Sequence, residues 1–131
     1  VQHDEFIGHV QDRARLASRG EAERAARATL QTLAERLPSG LARNLAGQLP
    51  IEIGDQLETA ATGEAAGAVR FGEQEFFDRV AERAGTDRAG GGRLARAVCA
   101  VTCEAVDQPL RERTHDVLPE DMRELFPVGA P

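Results

Sequence analysis

At 131 residues, with 41% hydrophobic and 29% charged side chains, the chain is long enough to bury roughly two thirds of its unfolded surface as one domain, and its balance is not that of a disordered segment. The net charge of −6 excludes a general nucleic-acid binder, because neutralising phosphates needs a net basic face. The longest apolar runs, about five residues as in 97–101, fall far short of the roughly twenty that cross a bilayer, so no membrane partner is expected and the cytoplasm is the default location.

In the first segment Phe6, Ile7, Val10 and Ala14 form a helical stripe, and Gly20 stands where a C-terminal cap would end it. From Glu21 to Leu37 the apolar positions Ala22, Ala26, Thr29, Leu30, Leu33 and Leu37 keep a 3.6-residue period, which predicts an amphipathic helix with Arg24, Arg27, Gln31 and Glu35 on another face. Pro38 stops it. Ser39 is placed to cap a third helix through Leu41, Leu45 and Leu49, and Pro50 to open a short fourth with Ile51, Ile53 and Leu57. Residues 59–72 mix Ala, Thr and Gly without a period and read as a connector.

The chain then repeats itself. Glu5, Phe6, Val10, Arg13 and Ala14 return seventy positions later, from Glu75 to Ala84. At a spacing of sixty-nine, Arg24, Ala26, Arg27, Ala28, Glu35, Leu41, Leu49 and Pro50 return from Arg93 to Pro119. One residue lost near Gly90 reconciles the two spacings. The stretch GTDRAGGGR from Gly85 to Arg93 reads as a flexible turn, followed by a helix from Arg93 to Val106 that is apolar nearly all round and is therefore expected at the centre. Asp107 and Pro109 begin the next helix, Pro119 a last one, and Phe126 falls where Leu57 did; the tail from Val128 is expected to fray. The expected architecture is all-α: a single domain over 1–131, made of a four-helix repeat (4–58), a connector (59–72) and a second repeat (73–126), packed into one globular bundle.

Few residues carry chemistry. Cys99 and Cys103 share a helix face, but they correspond to Leu30 and Ala34 and read as small buried hydrophobes. With His3, His9 and His115 in no recognised ligand spacing, no metal and no cofactor is expected. Free amides at the start of the Arg93 helix, with Arg88 and Arg93, are a candidate anion site; the stretch lacks the Lys-Ser/Thr of a phosphate loop. Arg27 with Glu35, and Arg96 with Glu104, recur at equal positions in the two long helices, so the four are expected to pair across the repeats. Their other use is a polar cleft in which Glu35 and Glu104 serve acid/base chemistry. No nucleophile stands beside a base, so no catalytic residue is assigned.

The order EF then V (Glu75, Phe76, Val80), an Ala/Arg/Leu-rich helix (Ala95 to Val101), then LP and a terminal LF (Leu118, Pro119, Leu125, Phe126), with its parallel from Glu5 to Pro50, resembles the bacterial domain of unknown function 2267 family. The resemblance covers nearly the whole chain and implies a small all-α protein, with no catalytic residues to carry over. The function expected is a non-enzymatic module binding a protein partner or itself, and the alternative is a small-molecule binder or enzyme using a polar cleft between the repeats.

Overall fold

The computed structural model describes residues 2–63, 67 and 69–128, and every regular element among them is helical. In chain order these are α1 (His3–Ala14), α2 (Arg19–Arg36), α3 (Ser39–Gln48), α4 (Ile51–Ala61), α5 (Glu73–Ala84), α6 (Arg88–Ala105), α7 (Gln108–Val117) and a 3₁₀ helix (Glu120–Leu125). The chain is an all-α helical bundle.

Side-chain caps set where the long helices start. Ser18 Oγ accepts a hydrogen bond from Glu21 N at 3.2 Å while the Glu21 carboxylate accepts from Ser18 N at 3.1 Å, so two orphan amides of α2 are satisfied reciprocally. The α6 counterpart is Asp87, whose Oδ1 accepts from Gly90 N at 2.8 Å. Both helices are 18 residues long.

Several boundaries differ from the sequence expectation. α1 stops at Ala14, not Gly20: Arg15 takes the left-handed conformation at φ 55°, and Leu16 N closes the turn onto Gln11 O at 3.0 Å. Gly20 belongs to the first turn of α2. Pro38 and Pro50 occupy the cap positions of α3 and α4, each extended near φ −53° and −52°, and Ser39 makes no capping bond. The glycines expected as a flexible turn, Gly90 to Gly92, are buried inside α6. Packing explains them: a Cβ on Gly91 would stand 2.4 Å from the Phe77 carbonyl oxygen, so only glycine lets α5 and α6 come this close. The last element is 3₁₀, its first turn closed from Met122 N to Pro119 O at 2.9 Å. The expected connector begins as helix, since α4 runs to Ala61; residues 64–66 and 68, and the tail beyond Val128, lie outside the described residues.

The two long helices form the middle. α1 packs on both α2 and α6, and α5 packs on both α6 and α2, so each outer helix bridges the pair. α3 and α4 pack as a hairpin against α2, while α7 meets α3 and the 3₁₀ helix. The stripes read from the sequence are the buried ones: Phe6, Ile7, Val10, Leu30, Leu33, Phe76, Val98 and Cys99 are each 0% exposed. Leu57 and Phe126 are likewise wholly buried. Ile51, read as part of the α4 stripe, instead points to solvent at 77% exposure. Gln48 and Asp107 clamp the start of α7 to the end of α3, Gln48 Nε2 donating to Asp107 Oδ2 at 3.0 Å and Asp107 N donating to Gln48 Oε1 at 2.8 Å.

Candidate functional site

The two glutamates of the long helices pair across the bundle, but not with the arginines expected. Glu35 on α2 receives Arg83 of α5 on both oxygens, Nη1 to Oε1 at 3.0 Å and Nη2 to Oε2 at 2.7 Å, with Arg79 Nη1 adding a third bond at 3.2 Å. Glu104 on α6 is paired with Arg13 of α1, and His9 Nδ1 lies 4.0 Å from it. Arg27 and Arg96 stay on the glutamates' own helices and point elsewhere: Arg96 reaches Glu124 of the 3₁₀ helix at 3.1 Å and covers the Phe77 ring at 4.9 Å. The reason is helix packing. Arg27 and Arg96 line clefts shared with α4 and the 3₁₀ helix rather than facing the other long helix, while arginines of α5 and α1, which pack across the pair, hold Glu35 and Glu104. Local spacing does not mark Arg13 and Arg83 as site residues; the signal they carry in the sequence is an arginine recurring unchanged seventy positions on.

These pairs floor two clefts. The first, about 580 Å³, is lined by Arg27, Gln31 and Glu35 of α2, by Asp55, Gln56 and Thr59 of α4, and by Arg83. The second, about 360 Å³, is lined by Arg96, Ala100, Cys103 and Glu104 of α6, by Glu124 and Leu125 of the 3₁₀ helix, and by Arg13. Every named α2 and α4 position of the first cleft except Thr59 has its partner in the second sixty-nine positions on, and Arg83 corresponds to Arg13. Arg27 and Glu35 thus share one cleft, Arg96 and Glu104 the other.

Electrostatics differ between them. Burial pushes the Glu35 carboxyl up, but the hydrogen bond and charge of Arg83, followed by Arg79, outweigh it and hold the pKa below the ordinary value. Glu35 is therefore a fixed anion at neutral pH. Beside the second cleft Glu73 behaves oppositely: burial, then the hydrogen bond and charge of Glu124, raise its pKa to about 7, against the pull of Arg96.

A family described as an uncharacterized conserved protein, DUF2267, matches residues 3–125, nearly the full chain, including the first cleft and all of the second except Pro127. The chain belongs to the DUF2267 family. No curated protein matches it.

In this DUF2267 member the two arginines expected at an anion site are separated. Asp87 takes the Gly90 amide at the start of α6 with its own carboxylate, and Arg88 is turned back onto Asp78, Nη2 to Oδ2 at 2.7 Å. Arg93 instead lines a small cleft of about 280 Å³ together with Arg24, its sequence counterpart on α2. Cys99 is wholly buried and Cys103 half-buried. Burial raises both thiols, Cys103 to about 11, so neither is a thiolate at neutral pH. Among the described residues no three of His, Cys, Asp and Glu are grouped to hold a metal ion, and no helix is long and apolar enough to cross a membrane.

Proposed function

We propose that this DUF2267 protein is a tandem duplication that works by binding, and that the cleft between α2, α4 and α5 receives a small polar ligand. The observation that carries the reading is the lining of that cleft. Its space of about 580 Å³ suits a metabolite-sized molecule, and Arg27, Gln31, Asp55 and Gln56 converge on it from two helices. Gln56 Oε1 is itself buried and has no hydrogen-bond partner among the described residues. Binding is favoured over catalysis because Glu35, the buried carboxylate at hand, is locked as an anion by two arginines and does not trade a proton near pH 7.

The duplication is supported by the matching lengths of α2 and α6, by their capped starts sixty-nine positions apart, and by the corresponding linings of the two clefts. Superposing residues 4–58 on 73–126 in an experimental structure tests it; helices that fail to align in order would refute it.

The binding reading is tested by a thermal-shift screen of polar metabolites on the wild type beside Arg27→Ala. A ligand class that raises the wild-type midpoint by several degrees and leaves the variant unmoved is the expected result. A screen in which no polar compound shifts the wild type, or shifts both proteins alike, defeats it.

A protein partner or self-association is the second reading. It is favoured by Ile51, 77% exposed at the start of α4, and by a groove of about 480 Å³ between α3 and α7 that includes the exposed Val117. Light scattering after size exclusion tests it, since a strictly monomeric wild type would remove self-association.

A further inference from the structure

Comparison of the two clefts narrows the ligand. In the second cleft the outer charges satisfy each other, Arg96 Nη2 meeting Glu124 Oε1 at 3.1 Å. The corresponding residues of the first, Arg27 and Asp55, form no ion pair with each other or with any other described side chain, although both line the cleft. Aspartate is one methylene shorter than glutamate, which leaves a gap where the second cleft is bridged. Ala100 and Leu125 of the second cleft correspond to Gln31 and Gln56 in the first, two side chains that can hydrogen-bond a ligand. Space rises with it, from about 360 to about 580 Å³. Deeper in, Glu35 and Arg83 neutralise one another.

Among the described residues, one guanidinium and one carboxylate lining this cleft are left without an ionic partner. A simple anion would bring its charge against Asp55, and a simple cation against Arg27; a molecule with both signs meets both without leaving a charge opposed. We infer that this cleft binds a zwitterion of the α-amino-acid class, its carboxylate on Arg27 and its ammonium on Asp55, with a polar side chain toward Gln31 and Gln56. The inference rests on the ligand-binding reading above. Arg27 suits the carboxylate because its planar fork offers two parallel N–H donors.

The test is calorimetry of the full chain with the free L-α-amino acids, each beside its N-acetyl and its carboxamide form. At least one free amino acid should bind, and blocking either end should weaken it roughly tenfold or more, as the loss of one charge contact implies. Arg27→Ala and Asp55→Ala should each abolish that heat, whereas Arg96→Ala and Glu124→Ala in the sealed cleft should leave it unchanged. The double change D55E with Q56L, which copies the second cleft, should also abolish it. The inference is overturned if the N-acetyl form binds as well as the free acid, if Arg27→Ala binds normally, or if only another polar class such as sugar phosphates or dicarboxylates binds. That last result would leave the broader reading standing, while silence from every polar class would remove both.

Discussion

Glu35 and Arg83 meet through two parallel hydrogen bonds of 2.7 and 3.0 Å, joining α2 to α5 with the glutamate only 15% exposed. The corresponding pair, Glu104 with Arg13, joins α6 to α1 but lies half in solvent, at 49% and 45% exposure. Shared connectivity with unequal burial predicts unequal energy. A double-mutant cycle on Glu35→Gln and Arg83→Met should give a coupling of about 1–2 kcal/mol, against less than about 0.5 kcal/mol for Glu104 and Arg13. Because the folded pKa of Glu35 is depressed, its contribution is present above the ordinary carboxylate value of 4.5 and is lost as pH falls through the lower folded value. Urea unfolding at pH 7 and pH 3 would show it, and equal coupling at both would refute the assignment.

Glu73 predicts the opposite pH trend. Its carboxyl shares the start of α5 with Glu124 and with Asp121, whose Oδ2 accepts from Glu73 N at 2.9 Å. The raised pKa of about 7 means the stabilising state is protonated, so stability is full below the ordinary value of 4.5 and declines as pH rises through 7. Glu73→Gln should therefore be more stable than the wild type at pH 8, by on the order of 1 kcal/mol, and so unfold at a higher temperature there, and match it near pH 4. Thermal unfolding across that range decides; a parallel offset at every pH would count against a proton-linked cause.

Neighbouring glycines in α6 should respond differently to alanine. Gly91→Ala drives a Cβ to 2.4 Å from the Phe77 carbonyl oxygen and 2.7 Å from Ala81 Cβ, a clash with backbone that should cost about 1–3 kcal/mol. Gly92→Ala meets only the Phe77 ring at 3.4 Å, and the gain in helix propensity, up to about 1 kcal/mol, should make it neutral or stabilising. Chemical denaturation of the two variants gives the comparison, and the reverse order would mean that α5 and α6 are not this close.

The thiols should be inert in the folded chain. With Cys99 enclosed and Cys103 raised to about 11, iodoacetamide at pH 8 should modify neither until denaturant is added. Mass spectrometry of the native protein checks this, and rapid labelling of Cys99 would place α6 outside the core.

Local signals made much of the scaffold legible. The 3.6-residue stripes of α1 and α2 announce their own buried faces, because burying Phe6, Val10, Leu30 and Leu33 demands that spacing whatever the neighbours are. Ser18 with Glu21 and Asp87 with Gly90 close within three residues, so the starts of the long helices are local events. Gly90 to Gly92 misled for the converse reason: isolated glycines favour a turn, and only the approach of Phe77 and Ala81 from another helix makes them necessary inside α6.

By itself, then, the sequence determined the all-helical character, the central place of the residues around Val98 and the family likeness, all of which follow from short-range periodicity and order. The tertiary structure alone decided that Glu35 takes Arg83 and Glu104 takes Arg13, and that Arg27 and Asp55 stand apart where Arg96 and Glu124 touch. Which charge meets which depends on how two helices cross, and a crossing is fixed by the volumes packed between them, a quantity that no spacing along one chain records.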